Sequence, residues 1–151
     1  MDEIFFPKRI DFKRPIDFNT LSKIMNNGNL KSIIASNYLN EYIFNSVIKV
    51  EGVQEDPMFH SLFDYCQKNF NKENLNADLF LFAGFKMGNV SVTHKDNYDV
   101  VIIGAHGETV YNLEGKEYRV CPGDLLHIPK NVTHTAIGMT PRIILSYGKY
   151  N

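Results

Sequence analysis

Cysteine is scarce in this chain: of 151 residues only Cys66 and Cys121 carry thiols. Two are too few for a disulfide framework, and their spacing matches no zinc motif. They are expected to be buried, reduced thiols of a cytoplasmic protein. Charge of one sign is lacking too. Net charge is −1, and no block of like charge forms a basic arm or an acidic tail, so nothing draws the chain to nucleic acid. Long apolar runs are absent. The N-terminal MDEIFFPKRIDFKRP has acidic residues before a short apolar run, unlike a signal peptide, and nothing later is long enough to span a bilayer. There is no internal repeat and no low-complexity linker. What remains is 44% hydrophobic and 13% aromatic, a globular rather than a disordered composition. The length suits one domain, 1–151, with a sizeable core.

The chain reads as two halves. Residues 1–77 form an arm, two helices and a strand. Pro7 and Pro15 break the extended arm of residues 1–16. In DFNTLSKIMNNG (17–28), Asp17 or Asn19 caps a short helix, Leu21, Ile24 and Met25 face inward, and Gly28 suits the position just past its end. YIFNSVIKVEG (42–52) is β-branched and aromatic and reads as a strand. In DPMFHSLFDYCQKNF (56–70), Asp56 caps and Pro57 opens a helix whose apolar stripe is Phe59, Leu62, Phe63, Cys66 and Phe70. His60 lies off that stripe and is expected in solvent. From residue 78 short β-type runs follow one another: 79–86, 90–94, 99–105, 109–112, 117–120, 124–128, 132–137 and 142–148. Turn residues separate them, among them Gly88, Gly107, Glu114-Gly115 and Pro122-Gly123. Helices before strands, without alternation, argue against a parallel βαβ sheet. A mainly β barrel with helices packed outside it is expected, its core in 78–151.

VTHKDNYDVVIIGAHG (92–107) puts His94 and Asp96 two apart in a β-type run. Neighbours at i and i+2 of a strand share a face, so imidazole and carboxylate aim at one point, at the end of a row formed by Val90 and Val92. A third group comes from CPGDLLHIPKNVTHTAIG (121–138), where turns at Pro122-Gly123-Asp124 and Pro129–Asn131 lead into a strand carrying His134.

Gly88, five residues, His94, one residue, Asp96 and later Gly107 resemble the first motif of the cupins. Gly123, five residues, Pro129, one residue, Asn131, two residues, His134 and then Gly138 resemble the second. One histidine in a β-protein is usually a satisfied or exposed one; two such patterns in the right order are hard to obtain by accident. The resemblance implies a double-stranded β-helix. His-x-Asp with a distal His resembles the JmjC-type and ribosomal-oxygenase branch, and implies that His94, Asp96 and His134 bind Fe(II), leaving three positions for co-substrate and oxygen. The bland alternative is a His94–Asp96 hydrogen bond inside the barrel with no metal.

In that branch a basic residue fifteen positions after the first ligand binds the distal carboxylate of 2-oxoglutarate. Here the position is Thr109, which supplies a hydrogen bond but no charge. Phe80 and Phe82 stand where some relatives have polar co-substrate contacts. Other 2-oxoglutarate oxygenases use a basic residue on the strand after the distal His, and Arg142, eight residues after His134, is that candidate. Its facing depends on hairpin register, because a one-residue slip flips the side chain. Lys86 is a weaker candidate. His106, on the face of Val100 and Ile102, and His127, two before Pro129, read as rim or packing residues; for Tyr98 and Tyr111 core and pocket stay open.

The implied function is an Fe(II)-dependent oxygenase of cupin fold with 2-oxoglutarate as co-substrate, acting on a small molecule or peptide. The alternatives are a metal-dependent cupin dioxygenase, lyase or isomerase without 2-oxoglutarate, and a non-catalytic ligand-binding cupin. Arms like residues 1–16 often cross to a neighbouring cupin subunit, which raises a homodimer.

Overall fold

The computed structural model describes residues 4–26, 32–34, 47–89 and 91–149. Among these residues the strands and α-helices run in order: β1 (Phe5–Phe6), α1 (Phe18–Met25), β2 (Ser32–Ile34), β3 (Val47–Glu51), α2 (His60–Phe70), β4 (Ala77–Gly84), β5 (Gly88–Asn89), β6 (Val100–His106), β7 (Thr109–Leu113), β8 (Lys116–Val120), β9 (Leu125–Ile128), β10 (His134–Gly138) and β11 (Arg142–Lys149). They build two antiparallel sheets, ordered β1-β9-β6-β11-β4-β3-β2 and β5-β10-β7-β8. Non-consecutive neighbours such as β6 and β11, or β10 and β7, are what the winding of a double-stranded β-helix produces. The expected barrel with outer helices is the fold observed.

Period-two alternation along the central strands feeds two separate cores. On β6, Val101, Ile103 and Ala105 face outward, and on β11 Ile143, Leu145 and Tyr147 do the same. Their partners are Leu21 and Ile24 of α1, and Phe59, Leu62 and Cys66 from the α2 region. Ile102 and Ile144 point the other way and meet Tyr111, Leu113 and Ala136 between the sheets. Fully burying each such aliphatic side chain contributes about 1.5–3 kcal/mol.

The helix starts follow their sequence signals. Asp17 Oδ1 accepts the Thr20 backbone N–H at 2.9 Å, and that bond holds its carboxyl below the usual value. Leu21 and Ile24 are buried, Met25 packs at the edge of the core, and the helix ends at Asn26. The proposed role of Gly28 lies outside the described residues, as does the 42–46 part of the expected strand. Asp56 Oδ1 accepts from Met58 N at 3.0 Å and opens a 3₁₀ turn, Pro57–Phe59, that runs into α2. His60 is exposed, as expected. Glu114 (φ 50°) and Gly115 (φ 92°) form the two-residue turn between Leu113 and Lys116, with the positive φ pair that suits strand twist.

The N-terminal arm is bound to its own barrel. Phe5 and Phe6 pair with Leu126 and Leu125, and Ile10 N donates to Gly123 O at 2.9 Å. Buried Asp124 ties the arm down further, accepting from Lys8 N and Cys121 N at 2.9 Å each.

Two local expectations fail. Residues 91–94 are not a regular strand: β5 ends at Asn89, and only an isolated bridge forms, at His94. Val92 is 79% exposed, and Val90 lies outside the described residues. The second concerns His106. A register irregularity between Ile143 and Ile144 pairs Ile143 with His106 and Ile144 with Gly104. This bulge breaks the alternation, and the His106 ring meets Phe18 of α1 edge-on, centroids 5.4 Å apart. It does not share the barrel-facing side of Val100 and Ile102.

Candidate metal centre and its pocket

His94 and His134 are brought together by backbone rather than by strand alternation. His94 N donates to His134 O at 3.0 Å, and His134 N to His94 O at 2.8 Å. This reciprocal pair is one rung of an antiparallel ladder, and it sets the two imidazole centroids 4.4 Å apart. Asp96 is placed by a second clamp: its carbonyl accepts from Asn131 N at 2.7 Å. Asn131 sits in a left-handed turn, φ 65°. The two sequence motifs are thus stitched to each other at 94/134 and 96/131. Gly107 closes the first motif with φ 68°, and a Cβ there would lie 2.0 Å from Pro141 O.

Both imidazoles are held in one tautomer. His94 Nδ1 lies 2.8 Å from Val92 O and His134 Nδ1 lies 2.9 Å from Val132 O. A carbonyl only accepts, so each Nδ1 carries the proton and each Nε2 presents a lone pair. The two Nε2 atoms face Asp96 Oδ2, at 3.7 Å from His94 and 3.6 Å from His134. Those separations are too long for hydrogen bonds, which argues against the metal-free pairing of His94 with Asp96. Each fits an imidazole and a carboxylate sharing one ion: with bonds of about 2.0–2.2 Å, two ligands lie at most about 4.4 Å apart, and the third separation closes onto the ion with a small side-chain shift. One donor atom from each residue falls within 4.8 Å of the others. Two neutral imidazoles and a carboxylate are a donor set for a divalent transition metal, and the second hydrogen bond from each imidazole is the usual outer support of such ligands. His134 is buried, Asp96 half-buried and His94 exposed, so the centre opens on one side.

That side is a cavity of about 400 Å³, within the range of small-molecule sites. Arg142 lines it, which resolves the hairpin register: β11 starts at Arg142, opposite Gly84, with the guanidinium inside the barrel. Its side chain is buried. One Nη1 donates to Lys86 O and, at 3.2 Å, to Thr140 O. No carboxylate among the described residues pairs with it, and burial pulls its pKa down from the ordinary value. Space for it comes from Gly138, where a Cβ would lie 2.5 Å from Arg142 Nη1. Thr109, the partner of Gly138 across the sheet, lines the same cavity, and its buried hydroxyl has no hydrogen-bond partner among the described residues. Tyr111 and Tyr98 line it as well. Burial pushes the Tyr111 phenol up, an effect that nearby Arg142 partly offsets.

Other candidates lie elsewhere. His127 Nε2 is 2.8 Å from Asp99 Oδ2, with Phe70 against its ring; it is a packing residue, as expected. Lys86 touches the site through its backbone carbonyl, not its ammonium. Phe80 and Phe82 do line the cavity, joined by Lys49, Ser91 and Ser146, which sequence reasoning had not singled out. Lys49 had a signal: it shares a face with Val47, two residues before it on the strand placed over 42–52. Ser91 and Ser146 had none.

No family model and no curated protein matches the chain. Solved structures do. YcfD, a ribosomal oxygenase from Escherichia coli, in complex with cobalt and succinic acid, superposes with TM-score 0.72 at 18% identity, over 98% of this chain and 48% of that one. The same protein with cobalt and 2-oxoglutarate gives TM-score 0.67 at 19% identity, over 91% and 45%. A cupin 2 conserved barrel domain protein from Rhodopseudomonas palustris gives TM-score 0.52 at 15% identity, over 80% and 72%. The chain spans about half the length of the oxygenase it resembles. Two antiparallel sheets wound as a double-stranded β-helix, with a His-Asp-His cluster stitched between its two motifs, give this chain a cupin, ribosomal-oxygenase-like fold.

Proposed function

We propose that this chain is a metal-dependent oxygenase that uses 2-oxoglutarate. His94 Nε2, Asp96 Oδ2 and His134 Nε2 would hold Fe(II). The observation that carries the reading is the content of one cavity: three convergent metal donors and, among the described residues, a buried guanidinium without a carboxylate partner and a buried hydroxyl without a hydrogen-bond partner. A dianionic keto acid answers all of them. Its distal carboxylate would accept from Arg142 and from Thr109 Oγ1, which together replace the single basic residue usual in the JmjC-type branch. The cobalt and 2-oxoglutarate bound by the similar YcfD support the same assignment.

Bound together, Fe(II) and the keto acid supply the oxygen-activating chemistry that hydroxylates a C–H bond. The chain's own residues orient and enclose. The Nδ1–H bonds to Val92 and Val132 fix the imidazoles, the 96/131 clamp fixes the carboxylate, and Phe80, Phe82, Ile102 and Ile144 give the cavity an apolar wall. One carboxylate in the donor set leaves a divalent site net positive, which favours an anionic chelator. The test is an anaerobic titration of the protein with Fe(II) and 2-oxoglutarate, read by the visible absorbance of the keto-acid chelate. A saturable band is the expected result; no band at millimolar 2-oxoglutarate would reject this co-substrate and leave a metal-dependent cupin of another kind.

A further inference from the structure

The cavity extends past the groups assigned above, to a wall built by β3, β4 and the end of β11. Phe80 and Phe82 lie on the cavity face of β4, ring centroids 6.4 Å apart. Lys49 of β3 pairs with Phe82 across the sheet and holds its Nζ 4.9 Å from the centre of the Phe80 ring. Glu51, at 3.3 Å, steadies the ammonium there. An ammonium has three N–H donors, so Lys49 can serve Glu51 and a ligand at once. The charge of the whole lining is lopsided. Lys49, Arg142 and Lys149 line it, whereas Asp96 is the one carboxylate among the described lining residues and belongs to the metal donors. A cationic substrate would meet no free counter-charge, and its burial beside a divalent ion would be costly.

We infer that this wall selects the substrate, and that the substrate class is a hydrophobic acid: an apolar or aromatic body lying against Phe80 and Phe82, with an anionic group received by Lys49. Placing that molecule's C–H bonds beside the His94–Asp96–His134 cluster rests on the oxygenase reading above; the binding preference itself does not. Lys49 is then a specificity-determining residue, separate from the Arg142 and Thr109 end of the cavity.

The experiment is a calorimetric titration with three probes of one shape: 3-phenylpropanoate, 3-phenylpropanamide and 3-phenylpropylamine. It is run on metal-free protein and again with cobalt and saturating 2-oxoglutarate. The carboxylate should bind at least about tenfold tighter than the amine, with the amide between them, as one ion pair in a partly enclosed site provides. Lys49→Gln should reduce the carboxylate to the level of the amide, Lys49→Arg should restore it, and Phe80→Ala should weaken all three probes. Equal or tighter binding of the amine overturns the inference, as does unaltered carboxylate binding in a folded Lys49→Gln variant. It is overturned equally if no probe binds at millimolar concentration. Failure of the oxygenase reading shows separately, as absent cobalt or 2-oxoglutarate binding while the probe preference persists in metal-free protein.

Discussion

Replacing Arg142 by methionine tests the co-substrate end of the cavity with little change in volume. Arg142 as a residue is 5% exposed and its guanidinium lines the cavity, so solvent screens its bond to a ligand only in part. A charge-assisted hydrogen bond contributes about 1.5–3 kcal/mol, which corresponds to a loss of about 10–150-fold in 2-oxoglutarate affinity. Methionine also strips a donor from Lys86 O and Thr140 O. These carbonyls lie in the β4–β5 loop and the β10–β11 turn, so the melting temperature should fall modestly without loss of fold. Thr109→Val removes one neutral hydrogen bond, about 0.5–1.5 kcal/mol, and should weaken 2-oxoglutarate by about 2–13-fold. Both dissociation constants come from anaerobic titration of the metal-loaded protein, with metal affinity measured alongside as a control. A folded Arg142→Met variant with unchanged metal and unchanged 2-oxoglutarate affinity would refute the reasoning.

Two further outcomes follow from the same geometry. Gly138→Ala places a methyl 2.5 Å from both Arg142 Nη1 and Lys86 O; overpacking of this kind costs about 1–3 kcal/mol, and 2-oxoglutarate affinity should fall with the melting temperature, whereas a neutral effect on both would contradict the packing described. Burial pushes the Cys66 thiol up to about 12 from an ordinary 9.0, so a disulfide reagent at pH 8 should label Cys121 alone in the native protein and both thiols after denaturation. Because the native pKa is the higher one, the native state holds that proton more tightly, and its contribution to stability is lost as pH rises from 9 toward 12.

Much of the barrel was legible because its strands obey a period of two and its turns carry the residues those turns require. Asp17, Asp56 and Glu114-Gly115 each sit where a cap or hairpin demands them. The His94–Asp96–His134 cluster was found for a reason that proved only half right. Alternation in a strand does not hold these groups together; two long-range backbone clamps do, and no local pattern announces a contact between residues forty positions apart. His106 was misplaced because a bulge changes parity without leaving a signature in its neighbours. Arg142 could not be oriented for the same reason: its facing turns on one residue of hairpin register. Lys49 went unread because its partners on β4 are distant in sequence.

The central claim is that His94, Asp96 and His134 hold one metal ion, and metal titration tests it most directly. Wild-type protein, stripped with chelator and titrated with cobalt or anaerobic Fe(II), should take up one equivalent. His134→Ala, which removes a buried donor, should take up none, and Asp96→Ala should bind weakly at best. Stoichiometric, undiminished binding by a folded His134→Ala variant, or no uptake by the wild type, would contradict the account.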